Sequence, residues 1–288
     1  MFAQYKKELK SYFYNMTGVV FIALVLIITG IFATIMNFKG GSPEFEQTLD
    51  GAAFIFFLAV PILTMGVFAQ EKNLKTDQLL YSLPVGMTRI VIGKFLAMIT
   101  VLGTSIALLC LYPVIISFYG HVNFVGSYSG IFAFFLLGCA LIAIGMFIST
   151  LTESQVISAV VTFGVFIAVY FMKLISTIVP GSDFASLICF LVLSLVIGLL
   201  VHLIVKNSTV GLSVAIVLVF ATTVCFLIDR SMFKGLFPSI LEKFALFDRM
   251  YNFIYYGFFD LSAVVYYLSV IFLFVFLSVR SMDKKRWA

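Results

Sequence analysis

The sequence predicts an all-α protein that crosses a membrane several times, and three observations lead to this fold class. Of its 288 residues, 62% are apolar and 11% are charged, whereas a soluble globular domain is roughly half apolar and a quarter charged. The apolar residues gather in long runs. These runs lack the alternation of inward and outward side chains that a β-barrel needs. Because an unpaired backbone amide in the bilayer core costs several kcal/mol, the runs must be helices.

Eight runs are long enough to cross a bilayer, which takes about 20 residues per helix. They cover residues 18–36, 52–69, 95–118, 129–149, 156–179, 185–205, 209–228 and 262–279. Only Lys206, Asn207 and Ser208 separate the two runs between 185 and 228, so a single broken or re-entrant helix also fits this stretch. We therefore expect six to eight transmembrane helices and prefer eight.

The distribution of lysine and arginine predicts that both termini lie in the cytoplasm, because short loops rich in these residues stay on that side. The predicted cytoplasmic loops and termini then carry Lys6, Lys7, Lys10, Lys72, Lys75, Arg89, Lys94, Lys206, Arg280, Lys284, Lys285 and Arg286. The predicted external loops are net negative. The formal net charge of +5 is thereby explained as a topology signal, and it requires no nucleic-acid partner.

Residues 1–16 are predicted to form an amphipathic helix that lies in the membrane interface. The large side chains fall within about 100° of helical arc, with lysines along one flank, which is the pattern of an interfacial helix. These side chains are Phe2, Tyr5, Leu9, Tyr12 and Phe13. A solvated basic tail is the alternative. The segment is not expected to be a cleavable signal, because a full-length apolar run follows it and no short apolar stretch with a small-residue cleavage site is present.

Residues 229–261 form the largest predicted external segment. Its apolar side chains recur at helical spacing, at Phe233, Leu236, Phe237, Ile240, Leu241 and Phe244. So many aromatic side chains would be poorly placed in water. We expect one or two short helices that rest on the outer leaflet, and a plain connecting loop is the alternative.

The chain carries no recognisable catalytic or metal-binding motif. Its cysteines, Cys110, Cys139, Cys189 and Cys225, lie in apolar runs without metal-binding spacing, so we interpret them as small apolar residues. The Gly93-Lys94 pair is followed by Phe95 and lacks the upstream glycine of a phosphate-binding loop. We therefore expect no enzymatic activity, no ATP hydrolysis and no cofactor in this chain.

Ionisable side chains inside the predicted spans are scarce. We identify only Lys173 and His202, and each is close enough to a membrane surface to reach it with its polar end. Carriers driven by protons or sodium need buried ionisable groups to bind the driving ion. The scarcity argues against such a carrier, and any driving energy is expected to come from a partner.

The one sizeable cytoplasmic loop, residues 70–93, contains a candidate docking helix. Thr76 is placed to cap it, Asp77 lies in its first turn, and Pro84 ends it. Its apolar face consists of Leu79, Leu80 and Leu83. A short amphipathic helix between two spans is suited to bind a groove of a cytoplasmic protein. A solvated turn that packs on its own spans is an equal alternative.

Three stretches resemble the permeases of type-2 ATP-binding-cassette (ABC) exporters. The loop region reads PILTMGVFAQEK (61–72), KTDQLLYSLPV (75–85) and IVIGKFLA (90–97), like the end of the second span, the coupling stretch and the start of the third span in that family. GMFISTLTESQVISAVVTF (145–163) looks like the turn between the fourth and fifth spans. Residues 247–287 are similar to the C-terminal end of the gliding-motility-type subgroup.

The resemblance implies a single permease domain over residues 1–288 in a bacterial-type cell membrane. Two such subunits, identical or related, would pair around a central path, and two cytoplasmic ATP-binding subunits would dock beneath them. Glu71 and residues 75–83, which begin with Lys75, would contact the ATPase, and residues 1–16 would be the elbow helix of the family. The exported substrate would be a lipid, a peptide or a hydrophobic compound. Many relatives have six spans, so the extra apolar pair at 185–228 is a departure.

Two other functions remain as alternatives. One is an ion-coupled secondary transporter, and the other is a membrane scaffold or immunity-type subunit that transports nothing. Independently of function, Gly138, Gly145 and Ser149 fall on one face of the fourth span. Faces of small residues allow helices to approach closely in lipid, and we expect this face to pack within the subunit rather than against a second copy.

Overall fold

The computed structural model describes residues 2–76, 86–205, 208–256 and 260–286, and within these ranges the chain forms helices and no strand. The predicted all-α fold class is thereby confirmed. The first helices are α1 (Phe2–Tyr14), α2 (Thr17–Ala33), α3 (Phe45–Ala52), α4 (Phe56–Thr64), α5 (Ala69–Asn73), α6 (Met87–Leu109) and α7 (Leu111–Ser117). They are followed by α8 (Phe124–Leu151), α9 (Gln155–Ile178), α10 (Asp183–Val205), α11 (Ser208–Ile228), α12 (Leu236–Phe244), α13 (Leu246–Tyr256) and α14 (Leu261–Arg286).

Six segments of the described chain are long and apolar enough to cross a membrane. They are Thr17–Lys39, Phe45–Asn73, Met87–Ser117, Phe124–Leu151, Gln155–Ile178 and Leu261–Lys284. A seventh results if Leu212–Ile228 and Ser231–Phe244, bent by 114° at a short break, count as one span. The number six lies within the predicted range of six to eight. The preferred eight is not reached among the described residues, where Asp183–Leu199 counts only as a shorter apolar helix. The chain is a multi-pass membrane protein.

The chain divides into two compact units. One contains Met1–Ala168 and Leu246–Ala288, and the other contains Val169–Ala245. The first unit is built around α8, which packs against α4, α6, α13 and α14. Helix α8 is apolar on all sides and most of its side chains are buried, as expected for the central helix of a bundle. The assignment of residues 1–288 as one permease domain is functional and stays a prediction.

Small residues bring α8 close to its neighbours, as the spacing in the sequence predicts. A Cβ atom added to Gly145 would lie 2.5 Å from Thr64 Oγ1, and one added to Gly138 would lie 2.7 Å from Leu102 Cδ2. Such distances leave no room for a methyl group unless a neighbour moves. The expectation that this face packs within the subunit is confirmed.

The second unit is held together by phenylalanine rings. Helices α10 and α11 pack along each other, and ring contacts with centroids 5.2–5.9 Å apart join them to the segment that follows α11. The rings belong to Phe184, Phe190, Phe226, Phe233 and Phe237. Three of these four contacts are edge-to-face, a geometry that adds to the energy of apolar burial. They fix the sharp bend between α11 and α12.

Both predicted surface segments are helical. Residues 229–261 contain a short 3₁₀ turn, Ser231–Phe233, and the helices α12 and α13, so the helical interpretation of this segment is confirmed. Residues 1–16 contain α1, which packs on α6 and α2. Tyr12 is buried, and the Tyr5 hydroxyl lies 3.0 Å from Thr100 Oγ1. Part of the apolar face of α1 therefore covers the protein itself, and the location of α1 in the interface stays a prediction.

Candidate functional site

The candidate coupling segment is described only in part. Glu71, Lys75 and Thr76 lie within the described residues, at the end of the second membrane segment. The predicted residues Asp77, Leu79, Leu80 and Leu83 lie outside them. The structure therefore defines only the start of this segment, where the chain leaves the second membrane segment. We call this described part, which ends at Thr76, the root of the segment.

The second membrane segment is interrupted near its predicted cytoplasmic end. Helix α4 ends at Thr64, the turn Met65–Phe68 follows, and α5 begins at Ala69. A break in a helix frees backbone groups that a bilayer core cannot satisfy, so other parts of the protein must bind them. Two side chains from neighbouring helices do this, namely Ser149 of α8 and Lys94 of α6.

Ser149 binds both sides of the break. Its hydroxyl oxygen accepts hydrogen bonds from the backbone N–H groups of Phe68 and Ala69, each at 3.1 Å. The same hydroxyl donates to the carbonyl oxygen of Met65 at 3.3 Å. Because Ser149 is fully buried, water cannot take over these contacts. Its position on the small-residue face of α8 lets the broken backbone come within reach.

Lys94 joins three helices at one ammonium group. It is only 2% exposed. Its Nζ donates to the carbonyl oxygen of Val67 at 2.9 Å and to Glu71 Oε1 at 2.7 Å. It also lies 3.3 Å from Glu8 Oε1 of α1. Charged hydrogen bonds are stronger than neutral ones, so this buried lysine fastens α1, the break and α5 to α6.

Glu71 faces this cluster. One oxygen of its carboxylate binds Lys94, while the other, Oε2, is buried and has no hydrogen-bond partner. The Tyr12 phenol lies beside the cluster, and its pKa is raised far above its usual value, mainly by burial and further by Glu8 and Glu71. Tyr12 is therefore neutral, and the two carboxylates share one ammonium group.

Lys72 makes a second connection, to the end of α8. Its Nζ donates to the carbonyl oxygens of Thr150 and Thr152, the latter at 3.4 Å. The last carbonyls of a helix have no partner within the helix and carry partial negative charge, so a lysine stabilises them. Lys72 and Lys94 together hold α5 from two sides.

Lys75 and Thr76 end α5. Lys75 has a left-handed backbone conformation with a φ of 55°, as is common after the end of a helix. The Thr76 hydroxyl and its N–H both donate to the carbonyl oxygen of Glu71, at 3.2 and 2.9 Å. Within the described residues Thr76 therefore closes α5. Its predicted role as the cap of the next helix involves residues after Thr76, which lie outside the described residues, so this role stays a prediction.

The expectation that ionisable groups are nearly absent from the spans is wrong, and three charged side chains of the described membrane segments are buried there. Glu46, Lys72 and Lys94 are buried within the membrane segments. The apolar runs placed them in loops, but the helices extend one or more turns beyond those runs. Each of the three is hydrogen-bonded there, and Glu46 Oε2 accepts a 2.9 Å hydrogen bond from Ser127. These buried charges could have been predicted from their positions, because each lies within one to two helical turns of the end of an apolar run.

A cavity of about 480 Å³ adjoins the cluster, between α1, the break and α5. Its apolar lining comes from the second membrane segment, including Ile62 and Leu63. Its polar lining includes Glu8, Glu71 and Lys94, with Lys7 at the α1 side. The lining of the cavity therefore combines apolar and charged side chains.

The helical bundle and its buried charges define a multi-pass α-helical membrane protein. No family model matches the chain, and no curated protein or solved structure matches it significantly.

Proposed function

We propose that this protein is the membrane-spanning subunit of a transporter that a separate ATP-binding protein drives. The observation that supports the proposal is the rigid root of the segment that follows the second membrane segment. Lys94 and Lys72 hold this root to α6, α1 and α8. A force applied to the segment beyond Thr76 is therefore transmitted to the membrane helices instead of being lost in a flexible linker.

The mechanism follows from this connection. When the partner closes on ATP, it pushes the segment formed by residues 75–83, and α5 moves with α6 because Lys94 joins them. The movement tilts the helices and switches a central path between its inward-open and outward-open states, as in rigid-body gating. The resemblance to ABC exporters supplies the outward direction, the two ATP-binding subunits and the second permease subunit.

Within this proposal Glu71 and the leucines have different roles. Glu71 is bound to Lys94, so it anchors the root of the segment. Lys75, Asp77 and the leucines Leu79, Leu80 and Leu83 contact the ATPase. The substrate is a lipid, a peptide or another hydrophobic compound.

The test is purification of the tagged protein from native membranes in mild detergent, with identification of stoichiometric partners by mass spectrometry. We expect an ATP-binding protein with a Walker motif to copurify. The double variant Leu79→Asp with Leu80→Asp should lose this partner and still elute as a folded membrane protein. The matched control is Leu236→Asp with Leu241→Asp in α12, which should retain it. Absence of any ATP-binding partner from the wild-type complex contradicts the proposal.

An ion-coupled carrier is the second candidate, and the buried Glu46 favours it. This carboxylate is 5% exposed and lies at the start of a membrane segment, where a buried ionisable group is a candidate ion site. Transport that stops when an uncoupler is added while ATP remains, and that Glu46→Gln abolishes, would support the carrier. Transport that continues under these conditions excludes it.

A further inference from the structure

The cavity beside Lys94 has the size and location of a ligand site. Its volume of about 480 Å³ lies within the range of small-molecule sites, roughly 300–1,000 Å³. The interrupted backbone from Met65 to Val67 forms part of its lining. Non-helical backbone at membrane depth is tolerated where it is buried or lines a cavity, and interrupted helices form the binding sites of many transporters.

The charged part of the lining favours a cation that can donate hydrogen bonds. Lys94 already binds the Val67 carbonyl, Glu71 Oε1 and Glu8 Oε1, which uses its three N–H groups. Glu8 and Glu71 both face the buried ammonium group of Lys94, while Lys7, the other lysine of the lining, is exposed to solvent. Glu71 Oε2 is buried without a donor, and a buried acceptor in this state costs free energy. A ligand with an ammonium group would supply both the charge and the donor.

The apolar part of the lining favours an apolar group. Ile62 and Leu63 line the cavity next to the turn at Met65. Leu63 is buried, so this part of the lining is continuous with the core of the bundle. A molecule that suits both parts of the lining carries an ammonium group and an apolar chain.

We propose that this cavity binds an amphiphile with a primary ammonium group. The ammonium group binds Glu71, and the apolar part lies along Ile62 and Leu63. An aminophospholipid of the surrounding membrane and an amine-bearing cargo share this chemistry. The proposal stands whether or not an ATPase drives the protein.

The test compares two lipids that differ only in the substituents on their ammonium nitrogen. Short-chain phosphatidylethanolamine carries a primary ammonium group, while phosphatidylcholine of equal chain length carries a quaternary one. Binding to the purified protein in detergent is measured by native mass spectrometry. We expect phosphatidylethanolamine to bind about tenfold more tightly, because a charged hydrogen bond is lost with phosphatidylcholine. Equal affinity of the two lipids for the wild-type protein overturns the proposal.

Three variants locate the binding. Glu71→Gln removes the charge and should abolish the preference for phosphatidylethanolamine. Gly66 lines the cavity, and the nearest atom to a Cβ added there is Gln70 Oε1 at 3.2 Å. Gly66→Leu therefore occupies part of the cavity and should weaken the binding of both lipids at least about tenfold. Gly103→Leu is the control, because a Cβ there meets nothing within 4 Å, and it should bind like the wild type.

The variants keep the result decisive if one fails to fold. A folded Glu71→Gln protein that keeps the preference overturns the proposal. If Glu71→Gln does not fold, Gly66→Leu decides, and unchanged binding in that variant overturns the proposal.

Lipid analysis of the purified wild type then distinguishes the two sources of the ligand. Enrichment of phosphatidylethanolamine over its membrane proportion indicates a resident lipid. Absence of enrichment, with binding of added dodecylamine, indicates an amine-bearing cargo.

Discussion

Lys94 of α6 and Glu71 of α5 form an ion pair with 2.7 Å between Nζ and Oε1. The lysine is almost completely buried, although it lies near the end of a membrane segment. This pair joins the second and third membrane segments at the point where the candidate coupling segment begins. Any movement of that segment must carry Lys94 with it or break the pair.

Removal of Lys94 should destabilise the protein strongly. Lys94→Met leaves Glu8 and Glu71 without their shared cation, and breaking a buried pair costs about 3–5 kcal/mol. We expect a marked fall in the melting temperature of the detergent-purified protein, which is measured by fluorescence-detected size exclusion after heating. Lys234→Met is the control, because Lys234 is exposed and such surface changes cost about 0.5 kcal/mol or less. Equal losses in the two variants would show that Lys94 is not a structural anchor.

Loss of the Ser149 hydroxyl should weaken the interrupted segment. In Ser149→Ala the N–H groups of Phe68 and Ala69 lose their acceptor, and a buried unsatisfied group costs about 1–3 kcal/mol. Hydrogen exchange followed by mass spectrometry should show faster exchange at the turn. Ser269→Ala is the matched control, since that hydroxyl is exposed and donates only within its own helix. Unchanged exchange in Ser149→Ala would contradict the role of this hydroxyl.

The close approach at Gly145 should not tolerate a methyl group. Gly145→Ala places a Cβ 2.5 Å from Thr64 Oγ1, and overpacking of this kind costs about 1–3 kcal/mol. Gly103→Ala should instead leave stability unchanged or raise it by up to about 1 kcal/mol, since alanine is a better helix former and its site is open. The melting temperature should therefore fall in Gly145→Ala and stay the same or rise in Gly103→Ala. An equal shift in both variants would contradict the close contact between Gly145 and Thr64.

The predicted orientation can be measured by thiol labelling. In a variant whose four cysteines are replaced by alanine, Glu44→Cys should react with an impermeant maleimide in intact cells. Lys75→Cys should react only after the membrane is permeabilised. Both native side chains are exposed, so access depends on the side of the membrane. The reverse labelling pattern would place the N-terminus outside.

Periodicity and spacing predicted several elements correctly. The apolar runs located the six membrane segments, and the aromatic spacing predicted the helices α1 and α12. The small residues Gly138 and Gly145 predicted the packing face of α8. These features are local, because a run of apolar residues or a helical repeat is complete within one helix.

Composition and the length of the apolar runs are enough to establish an all-α, multi-pass membrane protein, because they exclude a soluble fold and a β-barrel. Only the tertiary structure showed that Lys72, Lys94 and Ser149 satisfy and fasten the interrupted second segment. Ser149 reaches the backbone of Phe68 across 81 positions of the chain. The physical reason is that buried polar groups must find partners wherever the packing of helices brings them, and no local pattern records which helices meet.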